Sequence, residues 1–349
     1  MTRSEVAALT ARIVADCWTN GDERLKGAWP ERTWLALADA GLPWVGVDAE
    51  GGGSGGTVAD ACDVLWELGA GAVPLPVAET GLLASWVLAA AGLAIPQGPT
   101  TIAVASGNHL LRADGRRWRL DAPLTRVPFA ERASLIVAVC GTDDGDRVVT
   151  LRPRDVTITA GRNLAGEARD RVAVDVPIDD DQVVPLPPGV DREAIRLRGA
   201  LGRAALMAGA LERVAELTVE HTNDRVQFGK KIITFQAVAG LVVQLVEHTV
   251  AATTATRAAI VAGERAAFEV AVAKQQTSAA AGTVARLAHQ AHGAMGLTAE
   301  YELGTLTQRL WCWRNEYGTE REWATWLGEQ VLAGGADQLW PRITRRDEE

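Results

Sequence analysis

The chain has 349 residues, with 35 Lys and Arg against 44 Asp and Glu and a formal net charge of −9. That length calls for two or three domains, and the acidic balance excludes the basic face that a nucleic-acid partner requires. Cys17, Cys62, Cys140 and Cys312 form no CxxC pair, so neither a zinc site nor a disulfide framework is indicated, and reduced thiols of a cytoplasmic protein are expected.

From residue 4 to about 95 apolar residues recur at helical spacing, through Val6, Leu9, Ile13 and Val14, then Trp34 to Ala38, then Val58 to Leu68. Pro30 suits a first helical turn and Gly41 a helix stop. An alanine-rich segment from Glu79 to Gly92 predicts a further buried helix closed by Pro96. The longest apolar runs, such as Gly81 to Ile95, fall short of the ~20 residues of a membrane span, and the N-terminus lacks the regions of a signal peptide. No membrane partner is expected. Gly51 to Gly56 formally matches both the dinucleotide fingerprint and the nucleophile elbow. The ribose-binding position of the first falls on Gly71, Ala72 and Val73, and the second has no recognisable histidine partner, so the cluster predicts a loop.

Beyond Thr100 the period changes. Ile102 and Val104, Trp118 and Leu120, Leu135 to Val139, Val148 to Leu151, Val156 to Ile158 and Val172 to Val176 predict short antiparallel strands. Helices return from Asp191 to Asn223, Thr234 to Ala262, Glu264 to His292 and through Leu303 to Trp313, each with an apolar face as a bundle requires. The expected fold is therefore α+β and mainly α: an N-terminal helical domain over residues 1–98, a middle antiparallel β-domain over 99–190, and a C-terminal four-helix bundle over 191–349, with a frayed tail from Arg342. A di-iron bundle needs Glu-x-x-His motifs, and none occurs. His289 and His292 share a helix face without further ligands, so no metal is expected. Trp311, Trp313, Trp323 and Trp326 predict core or subunit interface.

The densest chemistry lies in Arg225 to Gln236, RVQFGKKIITFQ. A forked guanidinium, an amide, an aromatic face and a glycine within five residues suit a nucleotide cofactor as well as they suit a charged helix end. This stretch resembles the acyl-CoA dehydrogenase family, and so does a second block in the right order, Gln290, Ala291, His292, Gly293, Ala294, Met295, Gly296. The resemblance implies that Arg225, Gln227, Phe228, Gln236, Gln290 and Gly293 reach across a subunit interface to the pyrophosphate and adenosine half of FAD.

The same resemblance implies absences. The family's flavin-contacting segments are not recognisable at Val104 to Asn108 or at Leu124 to Pro128. Its catalytic glutamate, which takes the α-proton while a hydride passes to flavin, would fall on Gly199 in one branch and on Tyr317 in the other. Glu316 stands one residue away as a candidate base. With the cross-interface parts present and the chain's own flavin site and base missing, the sequence resembles the shorter, non-catalytic subunit of a heterotetrameric acyl-CoA dehydrogenase from the breakdown of bulky thioesters such as steroid side chains. Its expected partner is a catalytic paralogue that brings the acyl-CoA pocket. A homomeric enzyme using Glu316 and a flavin-free structural paralogue are the alternatives.

Overall fold

The computed structural model describes residues 4–19, 29–105, 107, 110–115, 117–175, 177–263, 266–298, 300–335, 337, 340 and 341. Val176, Glu264 and the tail from Arg342, all used in the sequence reading, lie outside the described residues.

Helix α1 (Glu5–Ile13) starts on Ser4, whose hydroxyl accepts from the Ala7 N–H, and continues as a π-helical stretch, Val14–Thr19. Helix α2 (Glu31–Asp39) follows Pro30 and ends at Gly41, which takes φ 71°. Helix α3 (Val58–Ala70) is opened by a capping box between Thr57 and Asp60. The alanine-rich segment is a fully buried π-helical stretch, Ala78–Ser85, that runs into α4 (Trp86–Ala90). The glycine cluster is a loop folded back on itself, with the Gly46 N–H donating to the Gly55 carbonyl at 2.9 Å and the Gly55 N–H to Val47 at 2.8 Å.

The middle region holds β1 (Thr100–Val104), β2 (Leu111–Asp114), β3 (Arg117–Leu120), β4 (Leu124–Pro128), β5 (Leu135–Thr142), β6 (Gly145–Leu151), β7 (Thr157–Thr159), β8 (Arg169–Ala173), β9 (Ile178–Asp179) and β10 (Val183–Pro185). They form sheets of order β1-β5-β6-β10, β2-β3-β9 and β4-β8-β7. One pairing departs from the antiparallel expectation: β1 and β5 run parallel, Thr100 opposite Leu135. Between them the chain passes through β2 to β4, which belong to the other two sheets, and so returns to β1 in the same direction. The remaining named pairings are antiparallel.

Helix α5 (Arg192–Asp224) then leads through a hairpin, β11 (Val226–Gln227) and β12 (Lys230–Lys231), to α6 (Gln236–Ala262), α7 (Ala267–His292), α8 (Leu303–Trp313) and α9 (Glu320–Gly334). The sequence reading did not foresee α9. Small residues let α3 and α5 cross backbone to backbone: a Cβ on Gly209 would stand 1.9 Å from the Trp66 carbonyl oxygen, and one on Gly69 2.0 Å from that of Leu206. The N-terminal helices and the bundle share one continuous core, while the sheets close over their own. A third cluster, around Leu83, Val137 and Ile195, seals the seam where helices meet β1, β5 and β6.

Among the described residues α6 is the one helix long and apolar enough, by length and composition, to cross a membrane. In this fold it lies in the bundle with Leu245, Ala252 and Ala259 buried. Its outer side leaves Val243, Val250 and Val261 at 65%, 55% and 78% exposure, surface that a second subunit would cover. Light scattering should give a dimer or a tetramer; a monodisperse monomer at micromolar concentration would contradict this.

Candidate functional site

The two sequence blocks meet in space. Helix α5 ends at Arg225, the β11–β12 hairpin turns on Phe228 and Gly229, and α7 ends at Gly293; together they line a pocket of about 570 Å³. Phe228 and Gly229 have φ of 52° and 80°, the two positive values that a two-residue hairpin loop of matching twist demands. A phenylalanine pays for that conformation sterically, and the result is a ring 90% exposed at the hairpin tip. It meets Phe235 edge-on at 6.1 Å, and the Lys230 ammonium lies 4.4 Å from the Phe235 ring. The side chains of Arg225 and Gln227 are exposed and have no partner among the described residues. Gly293 has φ 61° and open space where a Cβ would stand. Gln290 lines the pocket, whereas Gln236, the first residue of α6, does not.

Behind this surface stand two histidines that the motif reading did not include together. His221 and His292 stack at 4.4 Å, and His292 is fixed by Ala288 O at 2.8 Å and the Tyr301 hydroxyl at 3.1 Å. Burial lowers both pKa values, helped at His221 by Arg225. His292 is thus buried rather than at the surface, and among the described residues no group of three or more His, Cys, Asp or Glu could hold a metal.

A second cavity, of about 600 Å³, lies where β1, β4, the start of α5 and the loop between α8 and α9 converge. Glu316 is in that loop, locked between two guanidiniums: Arg203 at 2.6 Å and Arg169 at 2.7 Å. The chain of charge continues on both sides, from Arg203 to Glu79 and from Arg169 to Glu167 at 3.2 Å, with Arg309 3.4 Å from Glu167. Burial alone would raise the Glu316 pKa, but Arg203 and Arg169 outweigh it and hold it at about 2. Arg203 is itself buried, yet Glu79 and Glu316 keep its pKa raised. Beside Glu316, the Tyr317 ring lies against Gly199, where a Cβ would be 2.3 Å from it. Lys274 holds the loop from below, its ammonium donating to Arg314 O at 2.9 Å, Gly318 O at 2.8 Å and Ser278 at 3.1 Å. Burial and Arg203 pull that lysine down to about 7.

Residues 197–321 match the model of the acyl-CoA dehydrogenase C-terminal domain. Over 87% of both chains the sequence is 29% identical to acyl-CoA dehydrogenase IpdE2 of Mycobacterium tuberculosis. The fold superposes on a chain of the ChsE4-ChsE5 complex from Mycobacterium tuberculosis with TM-score 0.83 at 22% identity, over 96% of this chain and 99% of that one. It superposes on butyryl-CoA dehydrogenase from Megasphaera elsdenii with TM-score 0.82 at 17% identity, over 95% and 99%. Residues 197–321 thus form an acyl-CoA dehydrogenase C-terminal domain, and the chain as a whole shares the fold of acyl-CoA dehydrogenases.

For an acyl-CoA dehydrogenase the site has an unusual distribution of chemistry. A general base works with a pKa near the operating pH, and Glu316 is held far below it by two hydrogen-bonded arginines. The positions that the resemblance assigns to the base, Gly199 and Tyr317, fill one another's space. The charge chain Glu79, Arg203, Glu316, Arg169, Glu167 and Arg309 escaped the sequence reading; its one local signal was ionisable residues inside apolar helical runs, as at Arg203 and Glu79.

Because the Glu316 pKa is depressed on folding, its contribution to stability is complete above its ordinary value of 4.5 and is lost as pH falls toward about 2. Removing the charge strands two arginines, so Glu316→Gln should cost about 3–5 kcal/mol at neutral pH and flatten the acid limb. Denaturant midpoints measured from pH 7 to pH 3 test both; an unchanged midpoint at pH 7 would contradict the network.

Proposed function

We propose that this chain is the non-catalytic subunit of a heteromeric acyl-CoA dehydrogenase, and that it presents Arg225, Gln227, Phe228, Gln290 and Gly293 to the pyrophosphate and adenosine half of an FAD held by a catalytic paralogue. One observation carries the reading: the two sequence blocks form an outward-facing pocket whose cation and amide are uncommitted, while the interior position of a base is closed by Tyr317 on Gly199. The residues fit the group. Arg225 offers a fork for phosphate oxygens, Phe228 a flat apolar face, and Gly293 and Gly229 open space for close approach.

When bound, FAD supplies the hydride acceptor for α,β-dehydrogenation of the acyl-CoA. In this reading the partner supplies the acyl-CoA pocket and the base, and the present chain binds and orients the cofactor's distal half. The ChsE4-ChsE5 complex, a chain of which shares this fold, is an assembly of two different polypeptides; a bulky, steroid-type thioester and a cytoplasmic heterotetramer are the corresponding proposals here. Gln236 lies outside the pocket and joins the clamp only if the partner surface reaches the start of α6.

The visible spectrum tests the assignment first. Purified alone the chain should be colourless, and co-expressed with its partner paralogue the complex should be yellow; a chain that is yellow alone and bleaches with an acyl-CoA is instead a complete enzyme. Arg225 tests the clamp. Lysine keeps the charge without the fork and alanine removes both, so flavin retention in the complex should fall in the order Arg, Lys, Ala. The loss of about 1.5–3 kcal/mol corresponds to roughly tenfold to hundredfold weaker retention, with assembly little changed. Equal flavin content in Arg225→Ala and wild-type complexes, near the dissociation constant, would reduce the motif to a helix end.

A further inference from the structure

We propose that the cavity between the β-domain and the start of α5 binds an apolar monocarboxylate, with its carboxylate on Arg126. Five guanidiniums line the cavity, and four are committed. Arg203 and Arg169 share Glu316 and are backed by Glu79 and Glu167. Arg192 grips Asp146 at 2.8 Å and donates to Ala105 O at 2.6 Å. Arg196 pairs with Glu193 at 3.0 Å and stacks 3.9 Å from the Trp323 ring. Arg126 is exposed to solvent at the cavity and has no acid or carbonyl partner among the described residues, so it is the guanidinium of the five that a bound anion can pair with.

The backbone at Arg126 supports the assignment. It takes φ 57° where the β4–β8 register shifts between Leu124 and Val127, a conformation that a non-glycine side chain adopts only at a cost. Tyr317, which also lines the cavity, takes φ 55°. The bulge re-aims one cation at the cavity. Around it the walls are apolar, from Ile102, Val104, Pro128 and Ile195, and the neutral side chains of Thr125 and Asn315 have no partner among the described residues. A single guanidinium fork matches a carboxylate with two hydrogen bonds. A dianionic phosphate ester would bring one more charge than Arg126 matches, and a neutral ligand would gain no charge-assisted hydrogen bond from it. The apolar walls call for a hydrocarbon body, and about 600 Å³ is ordinary for a small-molecule site. This site is separate from the cofactor clamp and does not depend on it.

The test is calorimetric titration of the full-length chain with 2-naphthoate, with neutral 2-naphthamide and with phenyl phosphate. 2-Naphthoate should bind the wild type, with the amide and the phosphate ester each weaker. Arg126→Gln should weaken 2-naphthoate about tenfold or more while leaving 2-naphthamide unchanged, and Arg126→Lys should recover part of the loss. Val104→Trp, at the cavity mouth, should abolish binding without lowering the melting temperature. Equal affinities for acid and amide, unchanged 2-naphthoate binding in Arg126→Gln, or no binding to folded wild type at millimolar concentration would each overturn the proposal. Loss of binding on Arg225→Ala in place of Arg126→Gln would also overturn it, by moving the anion to the other pocket.

Discussion

The inner cavity is positioned by one buried chain of alternating charge: Glu79, Arg203, Glu316, Arg169, Glu167 and Arg309. Glu79 comes from the N-terminal helices, Arg203 and Arg309 from the bundle, Arg169 and Glu167 from the β-domain, and Glu316 from the loop between α8 and α9. Burying ions costs several kcal/mol each unless every one is matched. Three acids against three guanidiniums are matched only while all three regions stay in register. Displacing any region would leave a charge uncompensated in the interior. Lys274 fastens the Glu316 loop from the opposite side through two carbonyls, so the roof of the inner cavity is held by ions above and by a cation below.

The two pockets differ in what they leave available to a ligand. The outer pocket holds Phe228 in a left-handed backbone conformation that leaves its aromatic face exposed. The inner cavity keeps its volume but commits its carboxylate to structure. Held at about 2 by Arg203 and Arg169, the Glu316 carboxylate is a weak base toward a carbon acid, and its two short ion pairs tie the loop between α8 and α9 to α5 and the β-domain.

Much of the fold was legible in the sequence, for identifiable reasons. The bundle helices show their apolar stripe, and α5, α6 and α7 start and stop within a few residues of the positions given by periodicity. Strand period gives no direction of pairing, and so the parallel β1–β5 pair was not visible. Helix α9 announced itself only through the Thr319 and Glu322 capping box, with tryptophans where aliphatic repeats are usually sought. The outer pocket was legible because most of its lining comes from two short sequence blocks, around Arg225 to Phe228 and Gln290 to Met295; Gln236, which the resemblance grouped with them, stands at the start of α6 outside that lining. The charge chain was not legible, since its partners lie 113, 124 and 147 residues apart and no local pattern links them.

The contact between Tyr317 and Gly199 constrains how this chain can change over time. A side chain restored at position 199 would begin 2.3 Å from the Tyr317 ring, and shrinking Tyr317 first would open a void against a glycine, which is costly in a packed interior. Each single step away from the present pair is uphill, whichever comes first. The two residues therefore act as a ratchet: a chain that has reached this state keeps position 199 closed unless both positions change together.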